Sequence, residues 1–357
     1  MHAFRRTLLS AVALGTMLVP AGLNAQSLPD GLTVHGYLTQ AFGQASDYPI
    51  HGLPTSATAD YRAAALQTRY TPFGGTAAVV QLSHRRLGES PLMALEPAVA
   101  FDWGFVQQRL GGLQLRAGKV PIPRGLYNEI RDVGVLLPFY RAPASFYTAG
   151  VETVLGGTAA YELGLGSWAF DMAGFFGNVP TVIQVSGADG NQVIDLDIEN
   201  TAGYQVFLNT PVTGLRIGSG GFRGTNSQGG AIINNITGSA DWSHDRFFAR
   251  GEIARSTTEG WQSDARYVQG GVRLIGGLWA NSQYEWTDQM VTVQPGFDLE
   301  FSPTKDLAIG GTYKFSHQLM LKAEYHQFEG YSVDVPVSPM GPPVENNYFL
   351  MSISAAF

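Results

Sequence analysis

The sequence predicts an all-β fold: a transmembrane barrel of sixteen antiparallel strands whose third long loop folds inward. Three observations support it. Only 14% of residues are charged, against about a quarter in globular domains, and 44 are glycine. Beyond the N-terminus, no apolar run approaches the roughly 20 residues of a spanning helix. Alternating segments of about ten residues recur from end to end, which is typical of strands that face lipid with every second residue.

The N-terminus has the pattern of a secretory signal peptide. Arg5 and Arg6 precede an apolar run, 8–22, and Ala25 supplies a small residue for cleavage. We therefore expect a signal peptide over 1–25 and the barrel over 26–357. Removing both arginines makes the formal net charge of −7 more negative, about −9, which argues against nucleic acid as a partner. The absence of cysteine excludes a lipoprotein and disulfides.

Sixteen segments have the alternation of strands. They are 32–43, 61–71, 75–84, 96–108, 112–120, 149–163, 167–178, 201–210, 214–224, 231–243, 246–256, 265–275, 278–288, 306–315, 319–328 and 346–357. Their connections alternate between tight turns and longer loops. Short turns at one end and long loops at the other are the asymmetry of an outer-membrane barrel, and Greek-key sandwiches have no reason to keep it.

The faces of single strands favour the same fold. Leu319, Leu321 and Tyr325 share one face, whereas Lys322 and Glu324 share the other. Because charged groups in hydrocarbon cost several kcal/mol, the charged face is expected to line a wet lumen. A barrel of this strand number is too wide to be filled by side chains.

The chain ends on an alternating strand that finishes at Phe357. A terminal aromatic residue in this setting resembles the assembly signal of bacterial outer-membrane barrels. We therefore expect Phe357 to engage the barrel-assembly machinery, and the protein to reside among the lipids of a Gram-negative outer membrane.

The third long connection, 121–148, is the predicted constriction loop. Its four prolines restrict the backbone, and its leucine, tyrosine and phenylalanine side chains can anchor it to the wall. Its basic groups slightly outnumber its acids, and a positive constriction attracts small anions. Arg131–Asp132 and Arg124–Glu129 could instead be pairs that only staple the loop. The candidate constriction residues are Lys119, Arg124, Glu129, Arg131, Asp132 and Arg141.

Strand parity predicts which charged side chains line the lumen. The basic candidates are Arg69, Arg116, Arg216, Arg250, Arg273, Lys314 and Lys322. The acidic candidates are Asp102, Glu162, Asp171, Glu252, Glu285 and Glu324. The two sets nearly balance, so we expect the wall to confer little selectivity and the loop to decide it.

The strand end Leu115–Lys119 leads into Pro123–Asp132, which reads P-R-G-L-Y-N-E-I-R-D, and then into Leu137–Phe139 and Pro143. These residues resemble the phosphate-selective porin O/P-like family, in which a glycine-basic strand end precedes a P-x-G-L-Y-N-E-x-R-D-type loop. The resemblance implies a water-filled, trimeric channel. Phosphate is not implied, because the lysine-dense pore of the family's phosphate channels is not obvious here.

The sequence thus predicts an outer-membrane porin for the passive diffusion of small hydrophilic solutes, with a mild preference for anions and no cofactor. Two alternatives stay open. An outer-membrane lipid hydrolase could use His84, His317 or His326, although no Ser-His-acid grouping and no metal-ligand spacing is evident. A barrel with a closed lumen could serve as a structural or surface protein.

Overall fold

The fold was analysed on a computed structural model. It describes residues 29–90, 93, 98–147, 150–187, 190–294, 296–301, 303–330 and 343–357. The predicted signal peptide lies outside the described residues, and so does Thr148 at the end of the predicted constriction loop.

The described residues form nineteen strands in chain order. They are β1 Leu32–Ala45, β2 Thr58–Phe73, β3 Thr76–Leu87, β4 Ala100–Leu110, β5 Leu113–Pro121, β6 Thr153–Leu165, β7 Trp168–Val179, β8 Val182–Gly187, β9 Gly190–Asp195, β10 Ile198–Asn209, β11 Leu215–Asn226, β12 Ile232–Ser243, β13 Phe247–Thr258, β14 Trp261–Ile275, β15 Leu278–Gln294, β16 Phe297–Glu300, β17 Thr304–Lys314, β18 Leu319–Gly330 and β19 Val344–Ala356. Two 3-10 turns, Asn128–Ile130 and Gly134–Leu136, and a short helix, Ala144–Tyr147, lie between β5 and β6.

Sixteen of these strands form one closed antiparallel barrel. Each pairs with its neighbours in the barrel, and β1 closes the ring by pairing with β19 from Tyr37↔Ala356 to Ala45↔Tyr348. Phe357 extends this seam, since its N–H donates to the Gly36 carbonyl oxygen at 3.0 Å and its own carbonyl accepts from Gly36 at 3.1 Å. The predicted barrel of sixteen antiparallel strands is confirmed, with all sixteen predicted strands present.

Three short strands lie outside the predicted set. β8 and β9 pair only with each other, as a hairpin within the long connection between β7 and β10. The pairing of β15 with β17 ends at Thr287↔Thr304. Beyond it, β15 pairs with β16 instead, so the C-terminal end of β15 and β16 form a hairpin that extends the rim. Both additions lengthen the rim that carries the long loops and leave the barrel topology unchanged.

The barrel has an apolar outer face and a polar inner face. On β18, Leu319, Leu321 and Tyr325 are exposed, whereas Lys322 and Glu324 on the opposite face are buried. Exposed Leu, Ile, Val and aromatic side chains continue this pattern on other strands. An outward apolar surface with polar groups inside is the arrangement expected of a barrel in a bilayer. Among the described residues, no helix is long and apolar enough to cross a membrane.

Candidate functional site: the segment between β5 and β6

The residues from Ile122 to Tyr147, here called the β5–β6 segment, are packed rather than solvated. Ile122, Tyr127, Phe139 and Phe146 are each at most 2% exposed. Tyr127 and Phe146 cluster with Tyr267 of β14, so apolar contacts join the segment to the barrel. This burial compensates for the entropy lost in ordering a long connection.

Three glutamates of the inner face accept hydrogen bonds from backbone N–H groups of the segment. Glu252 of β13 accepts from Leu126 at 3.1 Å. Glu285 of β15 accepts from Ser145 at 2.7 Å. Both oxygens of Glu324 on β18 lie 3.1 Å from the Tyr140 nitrogen. The glutamates are nearly inaccessible, at 1%, 5% and 3% exposure. Charged acceptors in such surroundings make stronger hydrogen bonds than neutral ones.

A lysine holds the carbonyl groups of the same segment. The ammonium of Lys322 donates to the carbonyl oxygens of Gly134 at 2.6 Å and Phe139 at 2.8 Å, and the residue is 1% exposed. The Pro138 carbonyl accepts from the Thr312 hydroxyl at 3.0 Å. Lys322 was predicted to line the lumen, and it does lie on the inner face. Its ammonium, however, binds carbonyl groups of the segment rather than facing open space.

The first turn of the segment depends on a glycine. Gly125 adopts a left-handed backbone with φ of 61°, and its carbonyl accepts from the Gln205 side chain at 2.9 Å. A Cβ there would lie 2.7 Å from Glu252 Oε1 and closer still to the Tyr147 hydroxyl. Only glycine satisfies both the backbone angle and the lack of space.

The three arginines predicted for the constriction differ in their surroundings. Arg124 is 9% exposed, donates to the Phe146 carbonyl oxygen at 2.8 Å and stacks on the Phe146 ring. Arg131 donates to the Tyr147 carbonyl and lies 3.2 Å from Glu152. Arg141 donates to the Tyr348 hydroxyl at 3.1 Å.

The predicted acids pair with partners that the sequence had not indicated. Glu129 lies 3.2 Å from Arg116 of β5, and Asp132 lies 3.4 Å from Arg85 of β3. Neither Arg131–Asp132 nor Arg124–Glu129 occurs among the ion pairs of the described residues. The acids of the segment are therefore tied to barrel strands rather than to its own arginines.

Lys119 lies apart from the other candidates. It shares the parity of the exposed Leu115 on β5 and pairs in register with Leu155, which is 52% exposed. Its ammonium donates to the Phe101 carbonyl oxygen at 2.7 Å. Lys119 thus has the parity of the outer face, and it also lines the cavity described next.

An open cavity of about 540 Å³ lies between the β5–β6 segment and the wall formed by β1 to β6. Its charged lining comprises five basic and three acidic side chains. They are Arg62, Arg85, Lys119, Arg131 and Arg141, and Asp102, Asp132 and Glu152. Side chains of β13, β15 and β18 hold the backbone of the segment, whereas β3 and β5, on the cavity side, reach it through the ion pairs of Asp132 and Glu129.

Two acids at this cavity respond differently to their surroundings. Burial raises the pKa of Asp132, although Arg85 and Arg131 oppose the shift. Burial would also raise the pKa of Glu152, but Arg131 and Arg85 outweigh it and lower that pKa. Asp132 is therefore the first of the two to be neutralised as the pH falls.

The other predicted wall residues have inner-face parity on their strands. Arg116 and Arg250 contact the segment, through Glu129 and through the Tyr127 hydroxyl at 2.9 Å. The residues near the short-turn end of the barrel, away from the segment, are Arg69, Arg273 and Lys314. The acids Glu162 and Asp171 pair in register on β6 and β7.

Sequence reasoning missed the roles of Arg85 and Glu152 at the cavity. Arg85 was placed in a loop, yet it lies in β3, two residues beyond Ser83 on the same face. Extending the alternation of β3 past His84 would have found it. Glu152 adjoins β6, and only the folded path of the segment brings it to Arg131.

Two of the three histidines considered for hydrolysis have other partners. His326 contacts the Asp306 carboxylate at 3.1 Å and is 4% exposed. His84 contacts the Ala98 carbonyl oxygen at 2.6 Å and Arg62 at 3.1 Å. No serine hydroxyl is among their hydrogen-bond partners in the described residues. Within the same residues, no group of three His, Asp or Glu side chains is arranged to hold a metal ion.

Comparison with solved structures establishes the fold. The outer membrane channel DcaP of Acinetobacter baumannii aligns with a TM-score of 0.60 at 9% identity, covering 91% of this chain and 97% of that chain. The anion-selective porin from Comamonas acidovorans gives 0.56 at 12%, covering 91% and 99%. The trimer form of OmpT, an outer membrane protein of Vibrio cholerae, gives 0.57 at 13%, covering 91% and 99%.

No family model and no curated protein matches the sequence. At these identities the likeness concerns architecture: the chain is a sixteen-stranded barrel of the outer-membrane type.

Proposed function

We propose that this protein is an outer-membrane porin through which small hydrophilic solutes diffuse passively, with a mild preference for anions. A closed barrel with a polar inner face and an apolar outer face supports a water-filled channel through the membrane. The β5–β6 segment is proposed to lie across the lumen and to narrow it.

The observation that carries this proposal is the difference between the two sides of the segment. Side chains from the inner face of β13, β15 and β18 hold its backbone, whereas the 540 Å³ cavity remains open toward β1 to β6. On the cavity side the segment touches the wall through the ion pair of Asp132 with Arg85 at 3.4 Å, and the cavity beside this pair is the proposed water path. We therefore place the proposed constriction at the part of the cavity that Arg131, Asp132 and Arg85 border.

The charge at this opening supports the mild anion preference. Five basic side chains against three acidic ones give a small positive excess. In a narrow passage with low-dielectric walls, such an excess raises the local concentration of anions. Arg124 contributes little, because it is buried behind the Phe146 ring. The role of Arg124 is instead to support the segment.

Three further features belong to the same proposal. Kinship with the phosphate-selective porin O/P-like family rests on the sequence of the segment, and selectivity for phosphate is not part of it. Assembly through Phe357 is supported by its place in the closing seam. A homotrimer is supported by the fold, since the similar OmpT of Vibrio cholerae has a trimer form.

Reversal potentials in planar bilayers under a salt gradient test the filter. The variant Arg131→Gln removes one positive charge at the cavity and is expected to shift the reversal potential toward cations. Arg255→Gln is the matched control, since Arg255 pairs with Asp264 at the rim, 2.6 Å away, and does not line the cavity. Equal reversal potentials for both variants would show that the cavity does not set the ion selectivity.

The hydrolase alternative has a direct test. Purified protein that conducts in bilayers and does not hydrolyse a phospholipid or nitrophenyl ester supports the porin. A silent barrel with esterase activity that is lost in His326→Ala would support the enzyme.

A further inference from the structure

A cluster of two aromatic and three basic side chains lies on the inner face, between the β5–β6 segment and the short-turn end. It consists of Phe248, Arg250, Arg273, Trp279 and Lys314, on β13, β14, β15 and β17, and is called here the aromatic–basic patch. Its residues share the parity of Thr312 and Asn281, which contact the Pro138 carbonyl of the segment. The patch therefore begins two residues below that anchor, roughly 7 Å along the strands.

The two rings form one surface. The centroids of Phe248 and Trp279 are 6.1 Å apart, with an angle of 37° between the planes. Between their strands, Gly271 has no side chain, and a Cβ there would collide with the Phe248 ring. Both rings are half-buried, so part of this apolar surface faces the lumen.

Cations border the rings. The Lys314 ammonium lies 5.0 Å from the Trp279 centroid, and the Arg250 guanidinium lies 4.9 Å from that of Phe248. Arg250 is neutralised by Asp241 at 2.8 Å. Arg273 and Lys314 are exposed, and neither has an acidic side chain within 4.0 Å among the described residues. Two positive charges without acidic partners thus lie beside an apolar surface.

We propose that the aromatic–basic patch is a binding site for small aromatic carboxylates on their way through the lumen. The carboxylate contacts Arg273 and Lys314, and the ring of the solute packs against Trp279 and Phe248. The long, flexible stem of Lys314 lets its ammonium turn from the indole toward a carboxylate. Aliphatic carboxylates and inorganic anions engage the cations alone and lack the ring contact, which contributes roughly 1 kcal/mol.

This inference rests on the proposed channel function, and it deepens that function by naming a solute class. Full-length protein in planar bilayers is titrated with sodium benzoate and, separately, with sodium acetate at equal ionic strength. Benzoate is expected to reduce the current at about fivefold lower concentration than acetate, which corresponds to one ring contact of the usual strength. Current noise reports the residence time of each anion.

Two variants and a control locate the effect. Trp279→Ala is expected to abolish the difference between benzoate and acetate, and Lys314→Gln to weaken the effect of both anions. Trp242→Ala is the matched control, because Trp242 is 43% exposed on the outer face. It is expected to keep the full difference.

The outcomes separate the two proposals. Equal effects of benzoate and acetate on a conducting wild-type protein overturn the patch and leave the channel standing. A benzoate preference that survives in Trp279→Ala also overturns the patch. If Trp279→Ala fails to fold, undiminished block by benzoate in Lys314→Gln overturns it instead. A folded protein that does not conduct in potassium chloride overturns the channel and this inference together.

Discussion

Replacement of Glu252 by glutamine tests how the β5–β6 segment is held. The carboxylate of Glu252 accepts from four donors: the Leu126 N–H at 3.1 Å, and the hydroxyls of Ser239 at 2.6 Å, Tyr267 at 2.7 Å and Tyr147. The amide keeps only one acceptor oxygen, and its NH₂ group must face two of these donors. The side chain is 1% exposed, so water cannot compensate.

The size of the effect follows from the bonds lost. Hydrogen bonds to charged groups contribute about 1.5–3 kcal/mol each. Each carboxylate oxygen accepts from one donor of the segment and one of the barrel, so Glu252→Gln removes one bond that holds the segment. Removing a buried charge recovers part of this, because charged groups are costly to desolvate. We expect a net weakening of segment docking by about 1 kcal/mol, roughly a fivefold change in the docked-to-released ratio.

Single-channel recording measures this change. The variant is expected to show additional open levels of higher conductance, each reporting a released segment. Glu162→Gln is the matched control, since Glu162 is an exposed acid of the inner face that lies on β6 away from these contacts. A Glu252→Gln channel with the conductance distribution and thermal stability of the wild type would refute the proposed anchoring.

Three other predictions follow from the same geometry. Gly125→Ala should destabilise the segment by about 1–3 kcal/mol and broaden the distribution of single-channel conductances. Its control is Gly166→Ala, because Gly166 has a similar φ of 64° but open space around its Cα. This control should lower the free energy of unfolding by less than about 1 kcal/mol. Because burial raises the pKa of Asp132, acidification should neutralise this carboxylate before that of Glu152, and anion selectivity should rise as the pH falls. Reversal potentials measured across this pH range should show a smaller rise in Asp132→Asn, because the contribution of Asp132 is absent. Deleting Phe357 should lower the amount of heat-modifiable barrel in outer-membrane fractions. An unchanged amount would show that the contacts of Phe357 in the β1–β19 seam are not needed for assembly.

The barrel could be predicted because its physics is local and repetitive. Strands such as β18 alternate residue by residue between hydrocarbon and a polar interior, and short turns punctuate them at regular intervals. Predicted strand bounds were mostly short, as with 61–71 against Thr58–Phe73, because rim residues are polar on both faces and the alternation fades. The hairpin of β8 and β9 was missed because it lies within the connection 179–200, which was predicted to be a loop.

The site was predicted only in outline, because its contacts join residues far apart in sequence. That Glu252, Glu285 and Glu324 would accept backbone N–H groups depends on the path of the segment, and alternation reveals only their inward direction. Arg124 shows the same limit, since its burial against Phe146 follows from the turn at Gly125. The local sequence identified the charged candidate residues of the segment. Tertiary packing then determines which of them support the segment, as Arg124 does, and which line the cavity, as Arg131 and Asp132 do.

The central claim, that the barrel is an anion-preferring diffusion channel, is tested most directly by planar-bilayer recording of the purified protein under a potassium chloride gradient. We expect stable conducting steps with a reversal potential displaced modestly toward that of chloride. A folded barrel that stays silent, or one whose reversal potential lies on the cation side, would contradict it.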